Sequence, residues 1–538
     1  MNRPKFYVYL PIAFALVLVL GIFIGSKFLS VQSINSLESS SQSKFGKLEG
    51  VLRYIYHEYV DTISDNDLVE STIISMLENL DPHSSYIPAE EMQANNEPLQ
   101  GNFEGIGVEF NIVDDTVRVV AAISGGPAEQ VGVQAGDKIV LVDGISIAGV
   151  KIDNKGVMSK LKGKGGTKVK ISVKRNSKNK LIDFSITRGT IPIHSVDVSY
   201  MLNSMIGYIK ISRFAATTYD EFIAALDKLQ KQGMQKLVID LRGNGGGYLN
   251  TAVDIADELL ANGKQIVYTE GKARPRKNYM ATNRGNFENG ELIILIDDGS
   301  ASASEILAGA IQDNDRGTIL GRRSFGKGLV QEQNEFTDGS GLRLTIARYY
   351  TPTGRCIQKP YHGKNDEYYE EEYTRYKNGE LESADSIKVA DSLKYTTPAG
   401  KIVYGGGGII PDVFVAVDTT GRTMYLGELF YAGVMNDFTF NYADKNREKL
   451  KEYKSSDNFR KNFTVTPQLI SELVVFAEKA GVKKNDVQLK QSENIIKNQL
   501  KALIARNVWN TEAYYPIMND KDVIVKKAME LLEKKKSN

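Results

Sequence analysis

The residues best placed to do chemistry are three serines in a turn of small residues. Residues 297–305 follow an apolar run, residues 292–296, that is typical of a buried strand, and they lead into a segment spaced like a helix. A serine at the corner between a strand and a helix can be exposed beside free backbone N–H groups, as a nucleophile requires. A simpler interpretation is also open, because Ser302 and Glu305 fit a capping box that only starts a helix.

A second chemical motif is the glycine-rich segment of residues 240–247, which follows another apolar run. Consecutive glycines leave backbone N–H groups uncovered, so the loop can serve as an oxyanion hole or hold another anion. The segment lacks the Lys-Ser/Thr ending of a P-loop and the spacing of a dinucleotide-binding motif, which argues against a phosphate. A plain flexible turn is the remaining alternative.

The third motif is Lys327, which lies between two glycines and apolar residues. Such neighbours favour burial, which would lower the pKa of the amine and let its neutral form accept a serine proton. Lys327 is therefore a candidate general base, although a surface or phosphate-binding role is equally open. Gln331 lies on the same strand face, but four residues of regular strand span about 13 Å. A direct contact requires a bend at Gly328 or a folded-back lysine.

The order of elements around these motifs predicts how they are positioned. Strands over residues 206–211 and 237–241 alternate with helices over residues 219–232 and 251–260. This order predicts an α/β core with a largely parallel sheet, in which sites gather beyond the carboxyl ends of the strands. The serine turn and the glycine loop both occupy such positions.

Composition excludes several classes of function. The chain has 538 residues, of which 67 are basic and 66 acidic, so it has no overall charge with which to bind nucleic acid. Its single cysteine, Cys356, excludes an internal disulfide framework and is expected to be a packing residue. His57 and His83 have no second ligand at metal-site spacing and are assigned to surface or capping roles, and His194 and His362 are expected to be structural, so no metal is expected.

The N-terminus predicts the location of the protein. Residues 6–25 are uncharged and mostly apolar, and a helix of that length can cross a hydrocarbon core of about 30 Å. The run is longer than the apolar part of a cleavable signal peptide, and no suitable cleavage site follows it. Arg3 and Lys5 precede the run, which places that end in the cytoplasm and the remainder outside. We expect an uncleaved single-pass anchor in the cytoplasmic (inner) membrane, with a polar spacer over residues 30–43.

Residues 102–188 change to a period of two, which predicts a compact β-rich module. Its Phe-Glu-Gly-Ile-Gly-Val segment, residues 103–108, resembles the carboxylate-binding loop of PDZ domains of the bacterial protease type. The resemblance implies that loop N–H groups bind a peptide's terminal carboxylate and that the next strand pairs with the peptide. A tight turn is the plainer alternative. The predicted peptide-binding residues are Gly105, Ile106, Gly107, Val108, Val157 and Leu161.

The three motifs together resemble the C-terminal processing peptidases, or tail-specific proteases, over roughly residues 52–413. Further matching motifs are residues 80–86, 350–355 and 406–413. The resemblance implies that Ser302 is the nucleophile, Lys327 the general base and Gln331 the residue that orients the base. By the same analogy the oxyanion hole consists of the N–H groups of Gly246 and Ala303. No metal or organic cofactor is implied.

The expected fold is therefore a multidomain α+β chain, with an α/β protease core of the ClpP/crotonase-like type and an inserted PDZ domain. The predicted boundaries are 1–29 for the anchor and start of the linker, 30–92 for an N-terminal helical region, 93–190 for the PDZ domain, 191–415 for the core and 416–538 for a C-terminal helical region. The last region suggests an interaction or dimerisation role.

The predicted function is a membrane-anchored serine endopeptidase that binds polypeptides with apolar C-termini and acts in the periplasm. A homo-oligomer or an adaptor protein is possible. The alternatives are a non-catalytic PDZ scaffold that binds protein C-termini and a small-ligand binder on a related α/β fold.

Overall fold

The computed structural model describes residues 11, 13–24, 46–113, 115–123, 125–175, 180–361 and 365–534. These residues form two compact units. The first contains the described residues up to Leu80 together with residues 84–88, and the second contains residues 81–83 and the described residues from Ala89 onward. The predicted polar spacer, residues 30–43, and His362 lie outside the described residues.

The first unit is mainly helical, as predicted. Its elements are helix α1 (residues 13–24), α2 (Gly46–Glu58), α3 (Asp65–Glu78) and strand β1 (Ser85–Ile87). Within this unit the Tyr86 hydroxyl donates a hydrogen bond of 3.1 Å to Glu70. The predicted membrane segment, residues 6–25, extends beyond the described residues at both ends. In the described part of the chain no helix combines the length and the apolar character needed to cross a membrane, so the anchor stays a prediction.

The β-rich module of the second unit is built around one antiparallel sheet. Its elements are α4 (Ala89–Gln100), β2 (Asn102–Gly105), β3 (Val108–Val113), β4 (Thr116–Ala122), α5 (Pro127–Gln130), β5 (Lys138–Val142), β6 (Ile145–Ser146), α6 (Asn154–Leu161), β7 (Lys168–Lys174), β8 (Ile182–Thr187) and β9 (Gly189–Pro192). The sheet order is β3-β4-β5-β7-β8, with β6 on β5. Side chains alternate along β7, where Val169, Ile171 and Val173 are buried, because one sheet face lies against the core.

The α/β core and a second sheet follow. Their elements are β10 (Val196–Met201), β11 (Ile206–Ile211), α7 (Thr218–Lys231), β12 (Lys236–Asp240), α8 (Leu249–Asp257), β13 (Gln265–Gly271), β14 (Arg274–Met280), β15 (Glu291–Ile296), α9 (Ala303–Asp313), β16 (Thr318–Gly321), β17 (Leu329–Glu335), β18 (Gly341–Tyr350), α10 (Asn365–Lys377), β19 (Lys394–Thr396), β20 (Ile402–Tyr404) and β21 (Val413–Phe414). Two short 3-10 helices, Ala384–Ser386 and Asp391–Leu393, precede β19.

The main sheet confirms the predicted parallel arrangement. Its order is β10-β11-β12-β15-β16-β21; the pairs from β11 to β21 are parallel and β10 is antiparallel. Because helices connect successive parallel strands, both faces of such a sheet must be covered by apolar side chains. Helices α7, α8 and α9 supply one buried face. In the second sheet, β18 pairs with both β13 and β17, and β13 pairs with β14. The ClpP/crotonase-like assignment of the core stays a prediction.

The C-terminal region is helical, as predicted. It comprises α11 (Met424–Tyr431), α12 (Val434–Lys445), α13 (Arg447–Lys451), α14 (Ser456–Asn462), α15 (Pro467–Lys479), α16 (Asp486–Trp509), α17 (Thr511–Asn519) and α18 (Val523–Lys534). Most of these helices share a hydrophobic cluster of their own. Helix α18 differs, because Ile524, Val525, Ala528 and Leu532 pack on the second face of the main sheet. The last helix is therefore part of the packing of the α/β core.

Candidate active site

Ser302 lies at the N-terminal end of α9, directly after the strand β15 and its turn. Its backbone has φ 55° and ψ −112°, a conformation that is sparsely populated for residues other than glycine. Such a sharp corner exposes a side chain above a helix N-terminus, which is the position that a nucleophilic serine requires. Ser302 is half-buried, whereas Ser300 and Ser304 are fully buried.

The two buried serines join the serine turn to the glycine loop. The Ser300 hydroxyl donates to the Leu241 carbonyl oxygen at 2.8 Å, and the Ser304 hydroxyl donates to the Asn244 carbonyl oxygen at 2.8 Å. The Ala301 N–H donates to the same Asn244 oxygen at 3.0 Å. The three serines therefore differ: Ser300 and Ser304 connect the loops, and Ser302 is left partly exposed.

The structure brings both predicted oxyanion donors to the nucleophile. A Cβ built on Gly246 would lie 2.8 Å from the Ser302 Cβ and 3.0 Å from the Ala303 nitrogen, so only glycine fits there. Within the described part of the chain the Ala303 N–H donates no hydrogen bond. The Gly246 N–H, in contrast, donates to Asn244 Oδ1 at 2.8 Å. One of the two predicted donors is thus engaged inside its own loop, because an Asn side chain readily bonds the backbone two residues on.

Lys327 and Gln331 are in direct contact. Lys327 Nζ donates to Gln331 Oε1 at 2.9 Å, despite the long separation expected on a regular strand. Lys327 precedes β17, and the pairing of β17 with β18 shifts register between Val330 and Gln331, which shortens the path between the two side chains. Among the described hydrogen bonds none joins Lys327 Nζ to Ser302 Oγ. The amine is held by Gln331 instead.

Burial, and after it the positive charge of Arg343, lower the pKa of Lys327 to about 8. The carboxylates of Asp81 and Glu305 act in the opposite direction. At neutral pH a small fraction of the amine is therefore uncharged, which is the form that can accept a proton.

Glu305 connects the nucleophile turn to the lysine segment. Its carboxylate accepts hydrogen bonds from the N–H groups of Ser302 (2.8 Å), Gly326 (2.8 Å) and Lys327 (2.9 Å), and from the Ser324 hydroxyl (2.5 Å). The sequence had indicated only the bond to Ser302, as part of a capping box. Burial raises the pKa of Glu305 to about 7, although the four donors favour its charged form.

Tyr349 and Arg375 also form hydrogen bonds to the lysine segment. The buried Tyr349 hydroxyl donates to the Lys327 carbonyl oxygen at 2.5 Å and lies 3.1 Å from the Ser302 carbonyl oxygen. Arg375, on α10, donates to the carbonyl oxygens of Ser324 (2.7 Å) and Phe325 (3.0 Å). Sequence reasoning missed both residues, because neither lies near a catalytic motif in the chain.

The surface or capping role expected for His83 is wrong. Its side chain is partly buried, and Nε2 lies 2.9 Å from the Tyr368 hydroxyl. Burial, and after it the charge of Lys327, lower the pKa of His83 to about 4, so the imidazole is neutral. The backbone N–H of His83 donates to Asp81 Oδ1 at 2.9 Å. His57 and His194 are exposed, as expected for residues outside the site.

The predicted peptide-binding residues lie at one end of the β-rich module. Strand β3 is an edge strand of its sheet, which leaves one side open for an added strand. The N–H groups of Ile106 and Gly107 donate to no described residue, and Gly107 has φ 77°. Val157 and Leu161 are buried in the core of the module together with Ile106, so they form the floor below β3 and not an open wall. Gly105 is also buried.

The partly exposed apolar side chains of this edge are Val108, Phe110 and Ile112, which rest on the same core. Phe110 and Ile112 were not predicted as binding residues. The sequence signal that could have identified them is their alternation with polar residues along the strand.

Four family models match the chain. A model of peptidase family S41 matches residues 205–366, and a PDZ-domain model matches residues 105–186. A model described as the activating protease CtpB N-terminal domain matches residues 21–91, and a family of unknown function, DUF8443, matches residues 425–510.

Two curated relatives are similar over most of their own length. The carboxy-terminal processing protease CtpA of Bacillus subtilis is 35% identical over 322 residues, which cover 60% of this chain and 68% of that protein. The carboxy-terminal-processing protease of Bartonella bacilliformis is 34% identical over 347 residues, covering 63% and 79%. Among solved structures, the photosystem II D1 C-terminal processing protease is 26% identical and covers 70% of this chain and 88% of that one, with a TM-score of 0.36. That score is too low to support a comparison of the folds.

Replacing Glu305 by Gln is expected to destabilise the second unit by about 1–3 kcal/mol, because an amide cannot accept all four hydrogen bonds. The loss of stability in Glu305→Gln should depend on pH. Since the pKa of Glu305 is raised from 4.5 to about 7, protonation favours the folded state. This stabilisation is complete below pH 4.5 and is lost as the pH rises through 7, by at most about 3 kcal/mol.

Urea denaturation of both proteins at pH 5 and pH 8 measures the effect. The advantage of the wild type over Glu305→Gln should be larger at pH 5 than at pH 8. An advantage that is equal at the two pH values would contradict the raised pKa.

Proposed function

The chain belongs to the family of carboxy-terminal processing proteases, which makes it a serine protease with a PDZ domain, and from this premise we propose that Ser302 and Lys327 form its catalytic dyad. The observation that carries the proposal is the shared carboxylate of Glu305. It accepts hydrogen bonds of 2.8–2.9 Å from the backbone N–H groups of both residues and thereby joins the serine turn to the lysine segment.

The proposed reaction is acyl transfer through a serine ester. Neutral Lys327 accepts the Ser302 proton while Oγ attacks the peptide carbonyl carbon. The ammonium then gives this proton to the leaving amine, and a water molecule hydrolyses the ester. A neutral lysine has two N–H groups and one lone pair. The bond from Lys327 Nζ to Gln331 therefore uses a donor and leaves the lone pair for Ser302, which supports an orienting role for Gln331.

The tetrahedral oxyanion is proposed to bind the N–H groups of Ala303 and Gly246. The Ala303 N–H lies at the helix N-terminus, where the helix dipole also favours negative charge. The Gly246 N–H must exchange its bond to Asn244 Oδ1 for one to the substrate. Charge-assisted bonds to an oxyanion are stronger than neutral amide bonds, so this exchange is favourable once the oxyanion forms.

The PDZ domain is proposed to bind the C-terminal tails of polypeptide substrates that end in apolar residues. The open edge of β3 would pair with the tail, the free N–H groups of Ile106 and Gly107 would bind its carboxylate, and Phe110 would contact its last side chains. The homo-oligomer or adaptor protein expected from the sequence stays a prediction.

We further propose that residues 6–25 anchor the protein in the cytoplasmic membrane with the catalytic part in the periplasm. The apolar run and the basic residues before it support this location. The full chain should pellet with membranes and resist carbonate extraction, whereas a chain that starts at residue 46 should remain in the supernatant. Full-length protein found in the supernatant would contradict the anchor.

Replacing Ser302 by Ala or Lys327 by Met should reduce cleavage of an unfolded protein substrate by at least about a thousandfold, because either change removes the proton transfer that activates the nucleophile. Initial rates of cleavage measure the effect. Ser185→Ala, at an exposed serine of β8, is the matched control and should cleave like the wild type. Equal cleavage by all variants would exclude the dyad, and absence of cleavage by the wild type would favour the non-catalytic scaffold.

The value of kcat/KM should rise with pH and level off above an apparent pKa near 8. The reason is that Lys327, whose pKa is lowered to about 8, acts only in its neutral form. Arg343→Gln removes a positive charge that lowers this pKa, so its profile should move to higher pH. A profile that is flat from pH 6 to 9, or that moves to lower pH in Arg343→Gln, would contradict the role of Lys327 as base.

Substrates that differ only in their tail should separate tail binding from chemistry. Changing an apolar C-terminal pair to two aspartates is expected to raise KM about tenfold, equivalent to about 1.4 kcal/mol of binding, with kcat unchanged. In Phe110→Ala the difference in KM between the two substrates should be smaller than in the wild type. Equal KM values for both tails in the wild type would show that the PDZ domain does not select apolar termini.

A further inference from the structure

A carboxylate at the start of the last helix contacts the glycine loop of the candidate active site. Asp522 precedes α18, and its Oδ1 accepts the N–H groups of Ile524 (2.8 Å) and Val525 (3.0 Å). Its Oδ2 accepts a hydrogen bond of 2.8 Å from Arg242 Nη1, 280 residues away in the chain. Both carboxylate oxygens are therefore engaged, and the bonds to the helix N-terminus fix the direction in which the second oxygen points.

Arg242 connects this contact to the glycine loop. It lies two residues after the end of β12, with Leu241 between them, in the loop that carries Gly246. Its Nε and Nη2 donate to the buried carboxylate of Asp240 at 2.6–3.0 Å, while Nη1 is left for Asp522. The Arg242 carbonyl oxygen accepts a bond from Lys210 Nζ. The arginine is thus held on both sides of its side chain and at its backbone.

The charges of this cluster balance. Asp240 and Asp522 are opposed by Arg242 and Lys210, with only Arg242 in contact with both carboxylates. The side chains of Arg242 and Asp522 are 17% and 24% exposed, so the pair is largely shielded from water. Removing the carboxylate of Asp522 would leave an arginine donor without its partner and one net positive charge in the cluster.

The glycine loop depends on such external supports. Glycines contribute no side chains that could hold a loop in one conformation. Between Arg242 and Gly246 the loop is fixed by Asn244 and by the bond of 2.8 Å from the Gly243 N–H to Asp297 Oδ1. The Arg242 cluster defines where the loop leaves β12, and a displacement there would move the Gly246 N–H relative to Ser302.

We propose that Asp522 is a positioning residue for the protease reaction, which acts through Arg242 to hold the glycine loop where the oxyanion is bound. This inference rests on the function proposed above, because it assigns the loop to the oxyanion. Asp522 lies outside all four matched family models, the last of which ends at residue 510. The C-terminal helix thereby becomes part of the catalytic unit.

The test compares two carboxylates of the C-terminal region in the full-length chain. Asp522→Asn removes the support of Arg242. Glu533→Gln is the matched control, because Glu533 on α18 also bonds across to the core, to Asn203 Nδ2 at 3.0 Å, but far from the loop. We expect Asp522→Asn to lower kcat about tenfold to a hundredfold with KM unchanged, as a small displacement of a catalytic group does. Glu533→Gln should remain within about twofold of the wild type.

A second measurement separates positioning from general destabilisation. A peptide aldehyde forms a tetrahedral adduct with a catalytic serine, so its Ki should rise in Asp522→Asn by the same factor as kcat/KM falls. Active-site titration gives the fraction of folded enzyme, which should stay near that of the wild type. Asp522→Glu, which keeps the charge, should recover most of the lost kcat and gives a second variant if Asp522→Asn does not fold.

Three results would overturn the proposal: a wild-type kcat in Asp522→Asn, an equal loss in Glu533→Gln, or a loss of kcat that matches the loss of titratable sites with an unchanged aldehyde Ki. Ser302→Ala is measured beside these variants. Activity retained by Ser302→Ala would contradict the dyad, whereas the contrast between Asp522→Asn and Glu533→Gln decides the role of Asp522.

Discussion

The active site depends on a buried carboxylate. Glu305 is removed from water, and an isolated charge in that environment would cost several kcal/mol. Four hydrogen-bond donors from two loops offset part of this cost, and they join both loops to the same side chain. The strained backbone at Ser302 persists for the same reason, because its N–H is one of the four donors.

The second constraint is that the glycines of the loop have no side chains that could fix its conformation. The feature that lets the backbone approach a substrate, the absence of side chains, also removes the usual means of fixing a conformation. The supports therefore come from other residues: the hydroxyls of Ser300 and Ser304 in the serine turn, and the amide of Asn244 and the guanidinium of Arg242 within the loop. The bond from Gly246 to Asn244 is one such support, and it engages the N–H that is proposed to bind the oxyanion.

The position of the last helix follows from the architecture of the sheet. Parallel strands connected by helices are apolar on both faces, and helices α7, α8 and α9 cover only one of them. Helix α18 covers the other, with Ile524, Val525, Ala528 and Leu532. The same C-terminal region touches the PDZ domain, through the ion pair of Arg506 with Glu109 and the bond of 2.7 Å from Arg118 to Asn441. The C-terminal helices therefore contact both functional parts of the second unit.

The sequence by itself determined the element types, the parallel sheet and the motifs at its carboxyl ends, because period-two and helical spacing reflect which side of each element is buried. It also separated Ser302, Lys327 and Gln331 from other polar residues. Tertiary structure alone decided the contact between Lys327 and Gln331, the burial of His83, the engaged N–H of Gly246 and the link from Asp522 to Arg242. These features depend on donors and acceptors that meet only in the folded chain, from two positions apart for Gly246 and Asn244 to 285 for His83 and Tyr368. Local spacing carries no information about which of them come together.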